Sequence, residues 1–368
     1  MARVIHINLF QILRGYASLV PPNRLQFPSH LQAQVTHDFL VDHILLNAHF
    51  QNYPPSTDYQ KSFWKWVIPH LEKKLESDSE IEVDSRIYEL YLELLNASTG
   101  PGLIGQAPPS QSYVTHFWSL DSKNNGIPNS VDLDEYQTTT LLESRTMIES
   151  GTTGLRTWLA SFILAQYLIL NPVLVRRKRT LELGAGVGFL GCVVASLQLL
   201  DRSSDAESLG ALWMSDINDS VLSRCCNNVQ LPCNLSCSHP NVSCCFLDWS
   251  AALDPDGVAP LTSLLNDEID ADLILGADIV FDPDLIPPLV ALLRLALQPT
   301  SRPRSALIAL TIRNPTTMQK FVDAVQGDLV LEKLDFQMQD RVFMESVEDR
   351  GDANSGVNIF RIISKLER

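Results

Sequence analysis

The sequence predicts an α/β protein: a mostly parallel sheet covered by helices on both faces, behind a helical N-terminal segment. Three observations predict it. From residue 152 onward, short apolar strands alternate with helical stretches, the rhythm of right-handed β-α-β crossovers. One of those strands runs into a glycine-rich loop, Gly184-Ala185-Gly186-Val187-Gly188, that opens a helix. Before residue 105, apolar residues recur at helical rather than strand spacing. At 368 residues the chain is long enough for two domains. The Gly- and Pro-rich stretch 100–109 reads as the linker, giving a helical accessory domain over 1–105 and an α/β domain over 106–368.

In chain order, helices are expected over 5–13, 35–50, 62–75 and 85–95, punctuated by Pro21-Pro22, Pro28 and Pro54-Pro55. Polar and apolar residues alternate over 137–142 and 146–148, which predicts a hairpin turning at Ser144-Arg145. A helix over 155–170 leads to a strand at 180–183, a helix at 189–200 and a strand at 211–215. A helix at 219–229, strands at 243–246 and 273–275, a helix at 287–297 and a strand at 306–311 complete the alternation. Apolar residues at 341–344 and 357–363 flank a polar turn at 348–355, an antiparallel pair expected to close the sheet. There is no internal repeat, and 203–208 reads as a surface insertion.

Composition narrows the class. Hydrophobic residues make up 45% and charged residues 19%, so a packed core forms and global disorder is excluded. Against 28 basic residues stand 43 acidic ones, a net charge of −15 that disfavours nucleic acid and favours a basic macromolecular partner. No apolar run reaches the ~18 residues a membrane span needs, and no secretory leader is expected at the start. A cytoplasmic monomer is the expectation. Six of the eight histidines precede residue 105, but they are scattered, so no metal site is expected there. Six of the seven cysteines fall between 225 and 245. Only Cys233 and Cys237 have zinc-like spacing, with no second pair, so reduced cysteines acting as small hydrophobes are expected instead.

The glycine loop carries the chemistry. Gly186, Gly188 and Gly191 satisfy a dinucleotide fingerprint, but Glu182 in the strand just ahead would repel a pyrophosphate. The same acid favours the cationic amine and sulfonium of S-adenosylmethionine. Asp216, ending the next strand, suits the two hydroxyls of a ribose, or caps the following helix. Leu247-Asp248-Trp249 follows the third strand; Trp249 either covers an adenine face or is a core tryptophan, and Asp248 is placed to accept from the adenine amino group. Asp278, after the fourth strand, stands where a methyl group would be delivered. A lysine acceptor is almost wholly charged at pH 7, and neutralising it costs about 4–5 kcal/mol. An acid would bind that ammonium and an apolar wall would ease its deprotonation, so orientation and desolvation suffice without a protein nucleophile or metal. No Ser-His-Asp order, H-E-x-x-H pattern or P-loop is present.

Taken together, Gly151-Thr152-Thr153-Gly154-Leu155 with Thr157-Trp158, the glycine loop, Leu247-Asp248-Trp249, Gly276-Ala277-Asp278-Ile279-Val280-Phe281 and Thr311-Ile312-Arg313-Asn314-Pro315 resemble a known family. It is the family-16 group of class I, seven-strand Rossmann-like protein-lysine methyltransferases, and within it the elongation factor 2 lysine methyltransferases of fungal type. The helical start, from Phe10-Gln11-Ile12-Leu13-Arg14, resembles that subfamily's accessory domain. The resemblance implies S-adenosylmethionine as cofactor and translation elongation factor 2 as the protein substrate. It implies that Trp158, Glu182, Gly184, Gly186, Asp216, Trp249 and Ala277 border the cofactor. Asp278 and Phe281 become the D-x-x-Y/F motif at the target lysine, with Arg313 and Asn314 at its entrance. Many relatives carry tyrosine at Phe281, which leaves an apolar or cation–π wall here rather than a hydroxyl role. Three rivals stand beside this reading: a family member acting on another protein or a small molecule, a non-catalytic cofactor-binding module, and an oxidoreductase that Glu182 disfavours.

Overall fold

The structure, a computed structural model, describes residues 3–76, 82–97, 111–120, 129–149, 151–201, 209–336, 342–344 and 356–367. The expected linker 100–109 and the insertion 203–208 lie outside the described residues. The chain forms two compact units, Met1–Thr146 with Val342–Glu348, and Met147–Arg341 with Asp349–Arg368. The boundary therefore falls within the predicted hairpin region, between Thr146 and Met147, and not at residue 105.

The first unit opens with β1 (Val4–His6) and α1 (Ile7–Ala17), whose first turn is capped by His6 accepting from the Asn8 amide. There follow α2 (Ala33–Phe39), a π-helical turn over Leu40–Leu45, α3 (Ala48–Asn52), α4 (Thr57–Leu75) and α5 (Ser85–Asn96). Phe10, Leu13 and Tyr16 of α1 pack with Phe63, Trp64 and Leu71 of α4 and Ile87 of α5, all buried. Three strands complete the unit: β2 (Gln111–Trp118), β3 (Ser130–Asp132) and β4 (Gln137–Ser144). The unit is thus not purely helical. β1 pairs antiparallel with β3, and β2 with β4.

The hairpin expected about Ser144-Arg145 does not form. β4 takes β2 as its partner, from Gln111 opposite Ser144 to Trp118 opposite Gln137. The chain instead turns away after Ser144, whose hydroxyl accepts from the Thr146 amide, and Met147 and Ile148 are exposed.

The second unit holds the expected alternation. Its elements are α6 (Leu159–Leu170), β5 (Arg179–Leu183), α7 (Phe189–Leu199), β6 (Ala211–Asp216), α8 (Asp219–Val229), β7 (Val242–Phe246), α9 (Val258–Ser263), β8 (Leu273–Ala277), α10 (Ile286–Ala296), β9 (Ser305–Thr311), α11 (Pro315–Asp328), β10 (Leu329–Leu334) and β11 (Val357–Ser364). Seven strands run in the order β10-β11-β9-β8-β5-β6-β7. The five strands from β9 to β7 are parallel; at one edge β11 runs antiparallel to β9, and β10, antiparallel to β11, runs with the other five. Connections leave β5 toward β6 on one side and β8 toward β9 on the other, so the carboxyl ends of β5 and β8 form the switch point where such sheets bind ligands. Leu181 and Leu183 of β5 join Ile274, Ile308 and Phe360 in a core with Leu289 of α10 and Phe321 of α11. Strand alternation turns Glu182 to the opposite face.

Three expectations are corrected in this unit. Helix α6 begins at Leu159, because Trp158 is extended. The strand that closes the sheet with β11 is β10, not 341–344. The described part of that stretch joins the first unit, where Arg14 donates to the Val342 carbonyl and Phe343 meets His116 edge-on at 6.1 Å between ring centroids. Finally, α8 lies on β7 and brings Cys226 and Cys244 into a disulfide, with Cα atoms 6.2 Å apart; the other five cysteines are not disulfide-bonded.

Candidate active site

Chain geometry at the end of β5 follows from its glycines. Gly184, Gly186 and Gly188 take φ of +60°, +55° and +87°, the left-handed region that side chains resist. Space is equally tight. A Cβ on Gly184 would lie 2.9 Å from Ile279 and 3.8 Å from the Trp249 ring, and one on Gly186 would lie 3.0 Å from the Gly154 carbonyl oxygen. The loop is therefore where the segment before α6, the loop after β7 and the loop after β8 converge. Gly191, in the first turn of α7, does a further job: its missing side chain leaves room for the Glu182 carboxyl, whose Oε2 a Cβ there would approach to 3.0 Å.

Glu182 is 3% exposed, and its Oε2 has no hydrogen-bond partner among the described residues. Burial pushes its carboxyl up to about 8; the Gly191 backbone N–H works against the shift and the Asp216 charge adds to it. Asp216 is also raised above the ordinary carboxylate range, by burial first, with the backbone N–H groups of Asn218, Gly186 and Ile217 opposing. Its carboxylate accepts from Gly186 at 3.3 Å and from Asn218 at 3.1 Å. The capping alternative goes to Asn218, whose side chain accepts from Ser220 and Val221 at the start of α8. Asp248 accepts from the Ser250 amide, and Trp249 is half-buried against Gly184. Ala277 ends β8, beside these loops.

The next group clusters about Asp278, which takes φ of +54° and is buried. Its Oδ1 accepts from the Thr311 amide at 2.8 Å; its Oδ2 accepts from the Thr311 hydroxyl at 2.9 Å and from Arg313 Nη2 at 3.0 Å. The carboxylate expected to await an ammonium is thus held by β9 and the loop beyond it. The Arg313 guanidinium lies 5.0 Å from the Trp158 ring centroid, with Arg156 at 5.5 Å from the same ring, and the indole N–H donates to the Thr153 carbonyl at 3.0 Å. Phe281 is 62% exposed, a large apolar side chain held at the rim. Asn314 was expected at the entrance; its side chain instead caps α11, accepting from Thr316 and Thr317. Sequence reasoning missed Thr311 as the clamp on Asp278. The signal was present in the Thr-Ile-Arg stretch, but only the pairing of β8 with β9 brings Thr311 to Asp278.

The residues fit S-adenosylmethionine on observations of this chain alone. A cradle of glycines that any Cβ would fill lies beside a buried carboxyl oxygen with no partner, the arrangement a cationic amine or sulfonium satisfies. A glycine cradle, a buried acid and a second acid at the next strand end, on the carboxyl edge of a seven-strand sheet, define an S-adenosylmethionine-dependent methyltransferase. The chain belongs to the lysine methyltransferase family, whose model matches residues 139–328. The protein-lysine N-methyltransferase EFM3 of Chaetomium thermophilum is 31% identical over 273 residues, 73% of this chain and 73% of its own. The protein-lysine N-methyltransferase EEF2KMT of Bos taurus is 28% identical over 295 residues, 68% of this chain and 79% of its own. That of Homo sapiens is 28% identical over 267 residues, 65% of this chain and 77% of its own. Among the described residues no helix is long and apolar enough to cross a membrane.

Proposed function

We propose that the acceptor is a lysine of translation elongation factor 2, methylated by this chain as a monomer in the cytoplasm without direct contact to nucleic acid. The observation that carries the acceptor is the likeness to the EEF2KMT proteins over two thirds of this chain, together with the resemblance of the Gly-Thr-Thr-Gly-Leu and Thr-Ile-Arg-Asn-Pro segments. A net charge of −15 suits a basic translation factor.

On this reading Trp158, Glu182, Gly184, Gly186, Asp216, Trp249 and Ala277 hold the cofactor. Glu182 answers its positive charge, Asp216 its ribose and Trp249 the face of its adenine. When bound, S-adenosylmethionine supplies an electrophilic methyl carbon: the amine lone pair forms the nitrogen–carbon bond and the carbon–sulfur pair stays on sulfur. The chain's own part is orientation and water exclusion. Asp278 borders the lysine nitrogen from a fixed position, Phe281 offers an apolar or cation–π face to the side chain, and Arg313 stands at the entrance, with Asn314 fixing the turn beyond it. The lysine proton leaves to solvent before attack. The first unit recognises the acceptor, since the residues assigned to the cofactor and the lysine all lie in the second.

The test is methyl transfer from labelled S-adenosylmethionine into a lysate of cells lacking this protein. The expected result is one labelled band of elongation factor 2 size, modified on lysine. A different single band replaces the acceptor and keeps the reaction. Cofactor binding without any label favours the non-catalytic module.

A further inference from the structure

At the mouth of the site two opposite charges are already paired. The Asp278 side chain is 4% exposed and the Arg313 side chain 44% exposed, with Nη2 and Oδ2 3.0 Å apart. Of the two, the cation is the one that solvent, and a lysine arriving from solvent, meets. Both partners are fixed. Asp278 is clamped by the amide and hydroxyl of Thr311, and Arg313 lies on the Trp158 ring. Among the described residues, Arg313 pairs with Asp278 from the loop after β8 and shares the Trp158 ring with Arg156 from the segment before α6. Asp282 and Asp284 stand exposed on the turn beyond Phe281.

We propose that Arg313 is a positioning residue for the methylation step: by occupying the Asp278 carboxylate it denies the acceptor's ammonium a counter-ion, so that the lysine is bound as the neutral amine that reacts. The inference rests on this edge being the lysine site. Its physical basis is general. A free buried carboxylate beside a lysine stabilises the charged, unreactive form and raises the pKa of the bound amine. A carboxylate whose charge is already balanced does not. The ammonium proton then passes to solvent, and no protein base is required.

The signature is a split between kcat and KM that a merely structural arginine would not produce. In Arg313→Gln, Asp278 is released to trap the ammonium. At pH 7.5 KM and kcat should fall together, each by about tenfold, while kcat/KM stays within about threefold. The alkaline-going limb of the kcat profile, which reports the bound complex, should move up by about one pH unit. Arg313→Lys keeps a cation on Asp278 and should leave that limb in place. The assay uses the protein band that the wild-type enzyme labels in the lysate, with cofactor affinity measured in parallel by calorimetry. A raised KM in Arg313→Gln, or a lowered kcat with an unmoved limb, overturns the inference. So does loss of cofactor affinity in both variants, which would make Arg313 a prop of the fold. A wild-type enzyme that labels no lysine overturns the function reading and this inference together, whereas a labelling wild type with an unmoved limb in Arg313→Gln overturns the inference alone.

Discussion

A carboxyl group with an unsatisfied oxygen in a dry site is expensive unless something arrives to meet it, and Glu182 is that group. Its ordinary value near 4.5 is raised to about 8, so the ligand-free enzyme holds it protonated at neutral pH. The direction of the shift fixes the linkage. The stability it contributes is fully present below about 4.5 and is lost as pH rises through about 8. A cation bound beside it pulls the value back down, so cofactor binding releases a proton. Affinity for S-adenosylmethionine should therefore climb between pH 6 and 8, by at most about tenfold per unit, and level off above. Glu182→Gln should bind more weakly with a flat profile. Calorimetry in two buffers of different ionisation enthalpy reads the proton directly, and a flat wild-type profile would sink the assignment. Glu182, the glycines and Asp216 were legible in the sequence because each is defined by its place next to a strand end. The clamp of Thr311 and Arg313 on Asp278 was not. These residues lie more than thirty positions apart, and only the parallel register of β8 against β9, with Ala277 opposite Ala309, brings them together.

Among the elements, α11 separates a structural from a functional reading of one residue. Asn314 accepts from two amides in the first turn, and Pro315 follows at the first helical position, so the sequence Asn-Pro-Thr-Thr is a helix start. Asn314→Ala should cost about 1 kcal/mol of stability, seen as a lowered melting temperature, with kcat/KM kept within about twofold below the transition. Asn314→Asp should restore the stability. A large kinetic loss at unchanged melting temperature would return Asn314 to the lysine entrance. The same helix shows why sequence reading stopped short. Strands β5 to β9 are short apolar runs bounded by clear breaks, and the expected bounds lie within two residues of those observed. Helix α11 carries Thr, Gln, Lys and Asp on its outer face, and β10 follows it with no intervening turn residue; Leu329 both ends the helix and starts the strand. Strand β2 escaped for a different reason, since the residue pattern of β4 names a hairpin but not which neighbour completes it.

For the molecule as a whole, the sequence made two bodies legible but misjudged where one ends. A Gly- and Pro-rich stretch signals a connection, yet strands on both sides of residues 119–129 pair within the first unit, as β2 with β4, so the unit continues to Thr146. This matters for how acceptor recognition is tested. Cutting the chain at residue 105 would remove α1 to α5 and leave β2 and β4 without the helices of their unit, so loss of activity would report misfolding as readily as lost recognition. Surface changes avoid that. On α5, Leu92 is 57% and Leu95 40% exposed, while Leu94 between them is buried. Residues three apart share a helix face, so the two leucines form one apolar patch that the unit's own core does not use. If the first unit grips the acceptor there, truncating both to serine removes apolar contact worth about 1–2 kcal/mol per side chain and raises KM for the acceptor at least about tenfold. Exposed positions contribute little to folding, so the melting temperature and the affinity for S-adenosylmethionine should hold. Kinetics of Leu92→Ser with Leu95→Ser, against each single change, decide the point. An unchanged KM would move recognition off this helix, and a rise in KM matched by weaker cofactor binding would show that the substitutions had disturbed the second unit rather than a contact with the acceptor.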